Sequence, residues 1–482
     1  MIREGYIEKI VYKSDETGYC VMSVEGEEGE EIFVGTLPGA GEGLYVIAEG
    51  EYVNHPQYDI QFKFSSCEIQ MPKDTLGIER YLGSGTVELF MKNRESISKK
   101  VGKECDIKYI LDLRDFPDSP FADKMIKDFN IILNDSEVEV VAEVVGGTTF
   151  AYDYTKKLLE HGKSVVTSNK ALVAEKGAEL LKIAREHNCN YLFEASVGGG
   201  IPIIRPLNKC LAGNEILQIS GILNGTTNFI LTKMIKEQMS FDDALKMAQK
   251  LGYAEADPTA DVEGEDACRK ICILGSLAYG KHIYPEMVHC SGITKITLDD
   301  VEYAANAGYV IKLIGSVKKL DDGRVSAIVC PRLVPKSNLL ASVDDVYNAI
   351  SVTGDGVGDV MFYGQGAGKL PTASAVVGDI IDCLKHHHRV LALTWEDCDD
   401  KNFVAPYKDM DVSMYVRIKA ENAEALKSSI SEMFGKLMYI ERSGRTENEL
   451  AFITPNMKEA DIDANLTILS HSAEIASKIR IY

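Results

Sequence analysis

Three apolar runs decide what kind of sheet this chain can build. IKYILDL (residues 107–113), VEVVAEVV (138–145) and SVVTS (164–168) alternate with stretches of helical periodicity. That alternation predicts a parallel α/β sheet. Before about residue 84 the texture differs. Tyr6–Tyr12, Tyr19–Val24, Ile32–Gly35, Leu44–Val53 and Ile60–Ile69 are β-rich runs broken by Gly, Pro, Asn and acidic turns. That spacing predicts a small β-barrel. From about Asp409 the order reads β-α-β-β-α-β, with strands in SMYVRIKA, LMYIERS, ELAFITP and SKIRIY and helices at 422–435 and 460–472. This is a ferredoxin-like pattern. The chain is therefore expected to be multidomain, α/β and α+β.

Charge and composition narrow the function classes. Fifty-two basic against 73 acidic residues give a net charge of −21, which disfavours a general polyanion-binding surface. No apolar run reaches the ~18 residues that a membrane helix needs, and the N-terminus has no apolar signal core, so a cytoplasmic protein is expected. The eleven cysteines contain no CxxC pair. Cys268 and Cys272, one helical turn apart, read as buried small hydrophobes. Cys383 with His386, His387 and His388 does not read as a metal site, because consecutive helical residues point in different directions.

Chemistry concentrates in five clusters. The densest is KLGYAEADPTADVEGEDACRK (250–270), which places Glu255, Asp257, Asp261, Glu263, Glu265, Asp266 and Lys270 close together. GYAEADP should be a loop, and DACRK should open a helix with Asp266 and Lys270 on one face at i, i+4. A lysine beside carboxylates at a pocket mouth can exchange a proton with a substrate hydroxyl during hydride transfer. FEASVGGGIPIIRPL (193–207) has three glycines that let backbone approach closely. GILNGTTNFIL (221–231) offers Asn224, Thr226, Thr227 and Asn228, small polar groups suited to a zwitterion. In VVTSNKALVA (165–174), Ser168 and Lys170 follow a strand end, the usual ligand edge of an α/β sheet. YGQGAGKLPTASAVVGDII (363–381) is a Gly-rich loop opening a helix. A phosphate-loop reading fails there, because Leu370 stands where Ser or Thr must hold magnesium.

Together these residues resemble the homoserine dehydrogenase family, whose signature is matched at Ala248, Gly252, Asp257, Pro258, Asp261, Gly264, Asp266 and Lys270. The resemblance implies NAD(P)-dependent interconversion of L-homoserine and L-aspartate 4-semialdehyde, a step in threonine and methionine biosynthesis. It implies that Lys270 is the proton donor and acceptor and that Lys170 is the active-site lysine between cofactor and substrate. Glu255 and Asp266 would bind the substrate amino group and hydroxyl, with Asp261, Asn224 and Thr226 around them. Gly146, Gly147, Thr148, Ser168, Gly252 and Gly366 match cofactor contacts. Glu194, Val197, Gly199 and Ile201 match a monovalent-cation site suited to sodium. NAD and NADP stay open: Arg114 could meet a 2′-phosphate, while Asp112 and Asp115 could bind a ribose hydroxyl. A homodimer or homotetramer is expected.

The pattern breaks at the N-terminal side. A dinucleotide fold needs a first strand ending in GxGxxG, where glycines bring the pyrophosphate to a helix N-terminus. Here GIERYLGSG (77–85) precedes the helix expected at 86–100, and Ile78 and Arg80 stand at the first two glycine positions if Gly83 is the third. Upstream, GYIEKI, GYCVMSV, VGTLPG and GEYVNHPQYDIQFKFSS resemble the OB-like N-terminal domain of RecD-like DNA helicases, with Asp59 where that family has Gly. Residues 1–85 carry six Lys/Arg against sixteen Asp/Glu, a poor start for binding DNA. The reading is a fusion at Gly83-Ser84-Gly85, from genetic rearrangement or from an error in assembling the sequence. It has lost the central strand of a 3-2-1-4-5-6 sheet, leaving two interior edges ~9–10 Å apart without partners. Either another segment fills that slot, or the half-domain shifts or loosens. Cofactor binding should suffer more than the substrate pocket.

The expected domains are an OB-like barrel (1–83), a truncated Rossmann domain (84–172) completed by a helix at 371–400, a catalytic and dimerisation domain (173–370), and a domain resembling ACT (409–482). Ala423 and Glu424 replace that family's Pro-Gly, which puts an amino-acid effector in doubt. Two rival functions remain at this point: a nucleic-acid-binding barrel carrying an inert body, and a catalytically dead oligomerisation scaffold.

Overall fold

The β-rich segment closes on itself, because five short strands with one apolar face can bury it only against each other. In the computed structural model, β1 (Ile2–Lys13), β2 (Tyr19–Gly26), β3 (Gly29–Thr36), β4 (Tyr45–His55) and β5 (Asp59–Gln70) form a closed barrel in the order β1-β2-β3-β5-β4. Phe33, Phe62, Met22 and Val46 fill it. The structure describes the chain apart from residues 15–16, 27–28, 38–39, 41–44, 56–58, 71–74, 115–118, 388, 392 and 445, and apart from the side chains at 30, 59, 68–70 and 75–82. Asp115 and His388 thus lie outside the described residues, as does the side chain of Asp59.

The expected helix at 86–100 starts earlier and breaks once. α1 spans Thr75–Lys92 and α2 Arg94–Val101, so the Gly83-Ser84-Gly85 junction lies inside a helix and not in a loop. β6 (Ile110–Leu111) and β7 (Met125–Ile126) follow, then α3 (Phe129–Asn134), β8 (Val140–Glu143), α4 (Thr149–Glu160), β9 (Ser164–Thr167), α5 (Lys170–Glu186) and β10 (Tyr191–Leu192). These strands do not make one sheet. β6 pairs only with β7, while β8, β9 and β10 form a separate sheet in the order β10-β9-β8, all pairs parallel. In the order 3-2-1-4-5-6 the break falls where strand 1 belongs.

No described segment fills the gap. A cavity of about 1620 Å³ occupies it, lined by Tyr109, Leu111, Val140, Ala142, Phe90 and Leu384 among others. The effect on packing is local. Val165 and Val166 on β9, paired on both sides, are fully buried. Val140, Val141 and Ala142 on β8, paired on one side, are only half-buried. IKYILDL, read as a full strand, keeps only two residues of pairing for the same reason.

The rest of the chain builds a ten-stranded sheet. Its elements are β11 (Ile216–Ile222), α6 (Gly225–Glu237), α7 (Phe241–Lys250), α8 (Thr259–Val262), α9 (Glu265–Tyr279), β12 (His289–Cys290), α10 (Leu298–Asn306), β13 (Tyr309–Lys319), β14 (Val325–Pro335), β15 (Tyr347–Gly354), β16 (Gly358–Gln365) and α11 (Lys369–Lys385). α11 is shorter than the expected helix at 371–400. His386 caps it by donating its amide to Asp382 and Cys383 carbonyls, and Leu393 and Trp395 beyond it are buried from irregular backbone.

The C-terminal elements are β17 (Asp411–Val412), β18 (Met414–Lys419), α12 (Lys427–Phe434), β19 (Met438–Ile440), β20 (Glu449–Ile453), β21 (Met457–Lys458), α13 (Glu459–Leu469) and β22 (Glu474–Ile481). The strand order β22-β18-β20-β19 is ferredoxin-like. The unit is not separate, because β22 pairs with β14 and continues the larger sheet. A buried network crosses the junction. Arg417 donates to Asp300 at 2.9 Å, Tyr415 donates to the same carboxylate at 3.0 Å, and Tyr303 and Arg442 converge on Glu449. No described helix is long and apolar enough to cross a membrane.

Two consequences are measurable. The amides of Val140 and Ala142 should exchange with deuterium roughly ten-fold or more faster than those of Val165 and Val166; equal protection would mean that the gap is filled. Arg417→Ala leaves the buried Asp300 carboxylate without its cation and should lower unfolding free energy by about 3–5 kcal/mol in denaturant titrations.

Candidate active site

Strand and helix ends bring three of the five sequence clusters to one point. β11 delivers Leu223 and Asn224 just past its end, and Asn224 caps α6 by accepting the Thr227 amide at 2.8 Å. α9 opens at Glu265, so Asp266 and Lys270 sit one turn apart on its buried face. Lys170 opens α5 after β9. Asp266 is the centre. Its Oδ2 accepts from Lys270 Nζ at 2.7 Å and Asn224 Nδ2 at 2.9 Å, and its Oδ1 lies 2.8 Å from Lys170 Nζ. Lys270, only 8% exposed, also donates to the Leu223 carbonyl at 2.8 Å. Two of its three N–H donors are thus used.

The electrostatics follow from this packing. Burial opposes a charge on Asp266, but Lys170, Lys270 and Asn224 more than offset it, holding the carboxyl far below the usual range. Asp266 in turn raises Lys170, against burial, so this ammonium stays charged. Asp261 accepts from Asn224 Nδ2 at 2.7 Å; burial first, and then the Asp266 charge, raises its carboxyl.

Other residues of the densest cluster serve the loop. Thr226 donates its hydroxyl to the Tyr253 carbonyl. Asp257 accepts from the Thr259 amide and hydroxyl, and Gly252 closes α7 through the Gln249 carbonyl. Glu255 sits half-buried on the same loop, its main-chain carbonyl accepting from Gln249.

The remaining two clusters meet each other instead. Gly200 donates to the Gln365 carbonyl at 3.0 Å. Gly199 (φ +56°) approaches Gly366 so closely that a Cβ on it would lie 2.4 Å from the Gly366 carbonyl oxygen. A Cβ on Gly366 would lie 2.0 Å from Asn348 Nδ2. The Glu194 carboxylate is already engaged: it accepts from the amides of Ile203, Ile204 and Arg205 at 2.6, 2.8 and 2.8 Å. It therefore caps that segment, which leaves main-chain carbonyls, at Val197, Gly199 and Ile201, for any cation. No group of three or more His, Cys, Asp or Glu side chains among the described residues could hold a metal.

On the nucleotide side, Gly146, Gly147 and Thr148 form the turn from β8 into α4, and Ser168 lies between β9 and α5. Asn169 binds these loops together. Its Nδ2 donates to the Val145 and Gly147 carbonyls at 3.1 and 2.6 Å, while its Oδ1 caps α5. Sequence reasoning passed over Asn169 and the Leu223 carbonyl. For Asn169 the available signal was an Asn directly before a helix; a main-chain acceptor leaves none. Arg114 is folded onto Asp112 by two side-chain bonds, at 2.9 and 2.6 Å, so the two groups expected to compete for the ribose bind each other.

The pyrophosphate end does not fit a dinucleotide. That site needs free amides at a helix N-terminus. α1 instead continues for eight residues before Gly83, so the amides where the fingerprint turn would open the helix are spent within it.

Residues 202–381 match the family profile described as homoserine dehydrogenase, and residues 81–194 match the homoserine dehydrogenase NAD binding domain. Residues 1–72 match the OB-fold domain of the ATP-dependent DNA helicase YrrC. The homoserine dehydrogenase of Bacillus subtilis is 37% identical over 422 residues, covering 83% of this chain and 96% of the relative. The crystal structure of a homoserine dehydrogenase from Thiobacillus denitrificans superposes with a TM-score of 0.76 at 33% identity, over 83% of this chain and 96% of that one. A hyperthermophilic archaeal homoserine dehydrogenase in complex with NADPH gives 0.50 at 26% identity, over 63% and 94%.

The depressed Asp266 carboxyl has a signed consequence. Its contribution to stability is present above the ordinary carboxyl range and is lost as pH falls toward its folded value. The stability gap between wild type and Asp266→Asn should therefore narrow below about pH 4. A gap that stays constant from neutral pH to 3 in denaturant titrations would contradict the geometry.

Proposed function

The chain belongs to the homoserine dehydrogenase family, and on that premise we propose that Lys270, held by Asp266 and the Leu223 carbonyl, is the group that exchanges the proton in the family's reaction. That reaction is the NAD(P)-dependent interconversion of L-homoserine and L-aspartate 4-semialdehyde, a step toward threonine and methionine. The nicotinamide carries the hydride, which no side chain here can supply. The observation that carries the reading is the buried Asp266, shared by Lys270, Lys170 and Asn224.

In the reducing direction the aldehyde oxygen takes a proton from Lys270 Nζ as its carbon gains hydride. In the oxidising direction the hydroxyl proton returns to the same nitrogen. Asp266 orients the lysine and balances two ammonium charges in a desolvated site. Lys170, kept charged by Asp266, supports the developing negative charge on the substrate oxygen. Glu255, on the loop beside this centre, is the proposed partner of the substrate ammonium, with Asp261 and Asn224 fixing the pocket wall. Thr226 holds the loop through Tyr253. A sodium ion, if bound, would be held by the carbonyls of Val197, Gly199 and Ile201.

The further reading is that this chain binds its cofactor poorly. Gly146 to Thr148, Ser168 and Lys170 remain for the nicotinamide half, while no strand and glycine turn that would bind pyrophosphate stand between β6 and β8 among the described residues. The C-terminal unit is proposed as an ACT domain that packs and does not sense. Ala423 is buried with ordinary helical backbone (φ −65°) where an effector pocket would need an open turn, and the Arg417 network locks the unit onto α10. A homodimer or homotetramer is proposed, with the outer edge of β16, where Tyr363 stacks on Tyr347, as a contact surface. The acidic balance of residues 1–85 argues against a nucleic-acid role for the barrel.

Homoserine-dependent NADPH formation tests both parts. Lys270→Met should lower kcat by about 10²–10⁴ with the fold intact by circular dichroism. The KM for NADP should exceed about 1 mM, the upper end of the ordinary range. An unaffected kcat removes Lys270 from the chemistry, and a micromolar KM refutes the cofactor defect.

A further inference from the structure

The gap between β6 and β8 is more than a lost element, because both of its walls are strand edges. Register settles which groups face it. The Asp112 amide donates to Ile126, so the residues that alternate with it, Tyr109 and Leu111, turn their N–H and C=O groups away from β7 and into the gap. The Ser164 amide donates to the Glu139 carbonyl, so Glu139 and Val141 face β9, and Val140, Ala142 and Val144 face the gap. Among the described residues, none of these five makes a backbone hydrogen bond on the gap side. The space is about 1620 Å³ and is covered by apolar side chains on both faces, Phe90 and Leu384 on one and Ile132 and Leu158 on the other.

We propose that this slot is a strand-accepting site, filled by an extended apolar segment of another polypeptide lying parallel to β6 and β8. Only a strand satisfies both edges at once, since its N–H and C=O groups point alternately to the two sides. Every strand pair in this half of the chain is parallel, which sets the orientation. Side chains of an inserted strand point alternately to two faces, and both faces carry apolar groups at the middle of the slot, Phe90 and Leu384 against Ile132 and Leu158, so the occupant is apolar at its central positions and rich in β-branched residues. The facing edges run about five residues, or ~17 Å of extended chain. Glu8 and Lys9 of the barrel stand at the slot's wall, which makes the barrel a neighbour of the occupant. The proposal rests on the sheet geometry and not on the dehydrogenase reading, so the two can fail separately.

The test uses the full chain and a fluorescein-labelled synthetic heptapeptide of Val and Ile with a C-terminal lysine tail. A control peptide carries Pro at alternate positions, which removes the donors. Fluorescence anisotropy should show saturable micromolar binding of the first peptide, with the prolyl peptide at least ten-fold weaker. Hydrogen exchange read by mass spectrometry should slow at least ten-fold across residues 109–111 and 140–144, with no change in α9. The Ala142→Pro variant, which removes one gap-facing donor and spares the β8–β9 ladder, should weaken binding by a similar factor. Lack of saturable binding by the unmodified chain overturns the proposal. So does saturation without protection of those residues, or equal binding of the two peptides. None of these readouts requires homoserine turnover.

Discussion

A parallel sheet is held by a strict backbone account: every interior N–H and C=O must find a partner on the neighbouring strand. Here that account fails at one place, between β6 and β8, and the nucleotide-binding half is shaped by the failure. β6 and β7 retain two residues of pairing each. β8 holds to β9 on one side and leaves its apolar residues half-buried on the other. Apolar side chains on two faces, Phe90 and Leu384 on one and Ile132 and Leu158 on the other, flank an open cavity. The hydrophobic content of the region is intact; what is missing is the one element that could satisfy both edges.

The damage stops within one strand. β9 is paired on both sides, with β8 and with β10, and its valines are fully buried. Lys170 follows directly from the end of β9, so the only member of the Asp266 centre that comes from the nucleotide half rests on an undisturbed strand. The others rest on β11, a strand of the large mixed sheet, and on α6 and α9, which pack against that sheet. The Asp266 centre and the region between β6 and β8 therefore depend on different cores.

Much of this was legible in the residues. The five barrel strands, the ferredoxin-like tail and the helix opening at DACRK follow from period and turn chemistry, and Asp266–Lys270 follows from i, i+4 spacing. QMPKDTLG reads as a poor central strand, and among the described residues no strand stands between β6 and β8. Three things could not be read. The helical start of α1 was hidden, because Gly-Ser-Gly ordinarily argues for a break, and tertiary contact with α11 overrode it. The length of α11 was overestimated, since the apolar residues after His386 are buried without helical periodicity. What the Glu194 carboxylate binds was hidden as well: it accepts from the amides of Ile203 to Arg205. In each case a partner distant in sequence decided the outcome.

The persistence of α1 explains how such a chain can hold its shape. In a doubly wound fold the helix after strand 1 is fixed from two sides, by that strand and by the helices beside it. Here no such strand stands among the described residues, yet Phe90, Ile97, Cys105 and Val377 still form a buried cluster joining α1, α2 and α11. α11 in turn packs on β8 and β9. The helix layer thus anchors α1, whose backbone begins at Thr75. A junction inside a helix carries its own hydrogen bonds and needs no pairing from the sheet, so the barrel can be attached there without adding another unpaired edge. The deficit stays confined to the slot, where a single strand could close it.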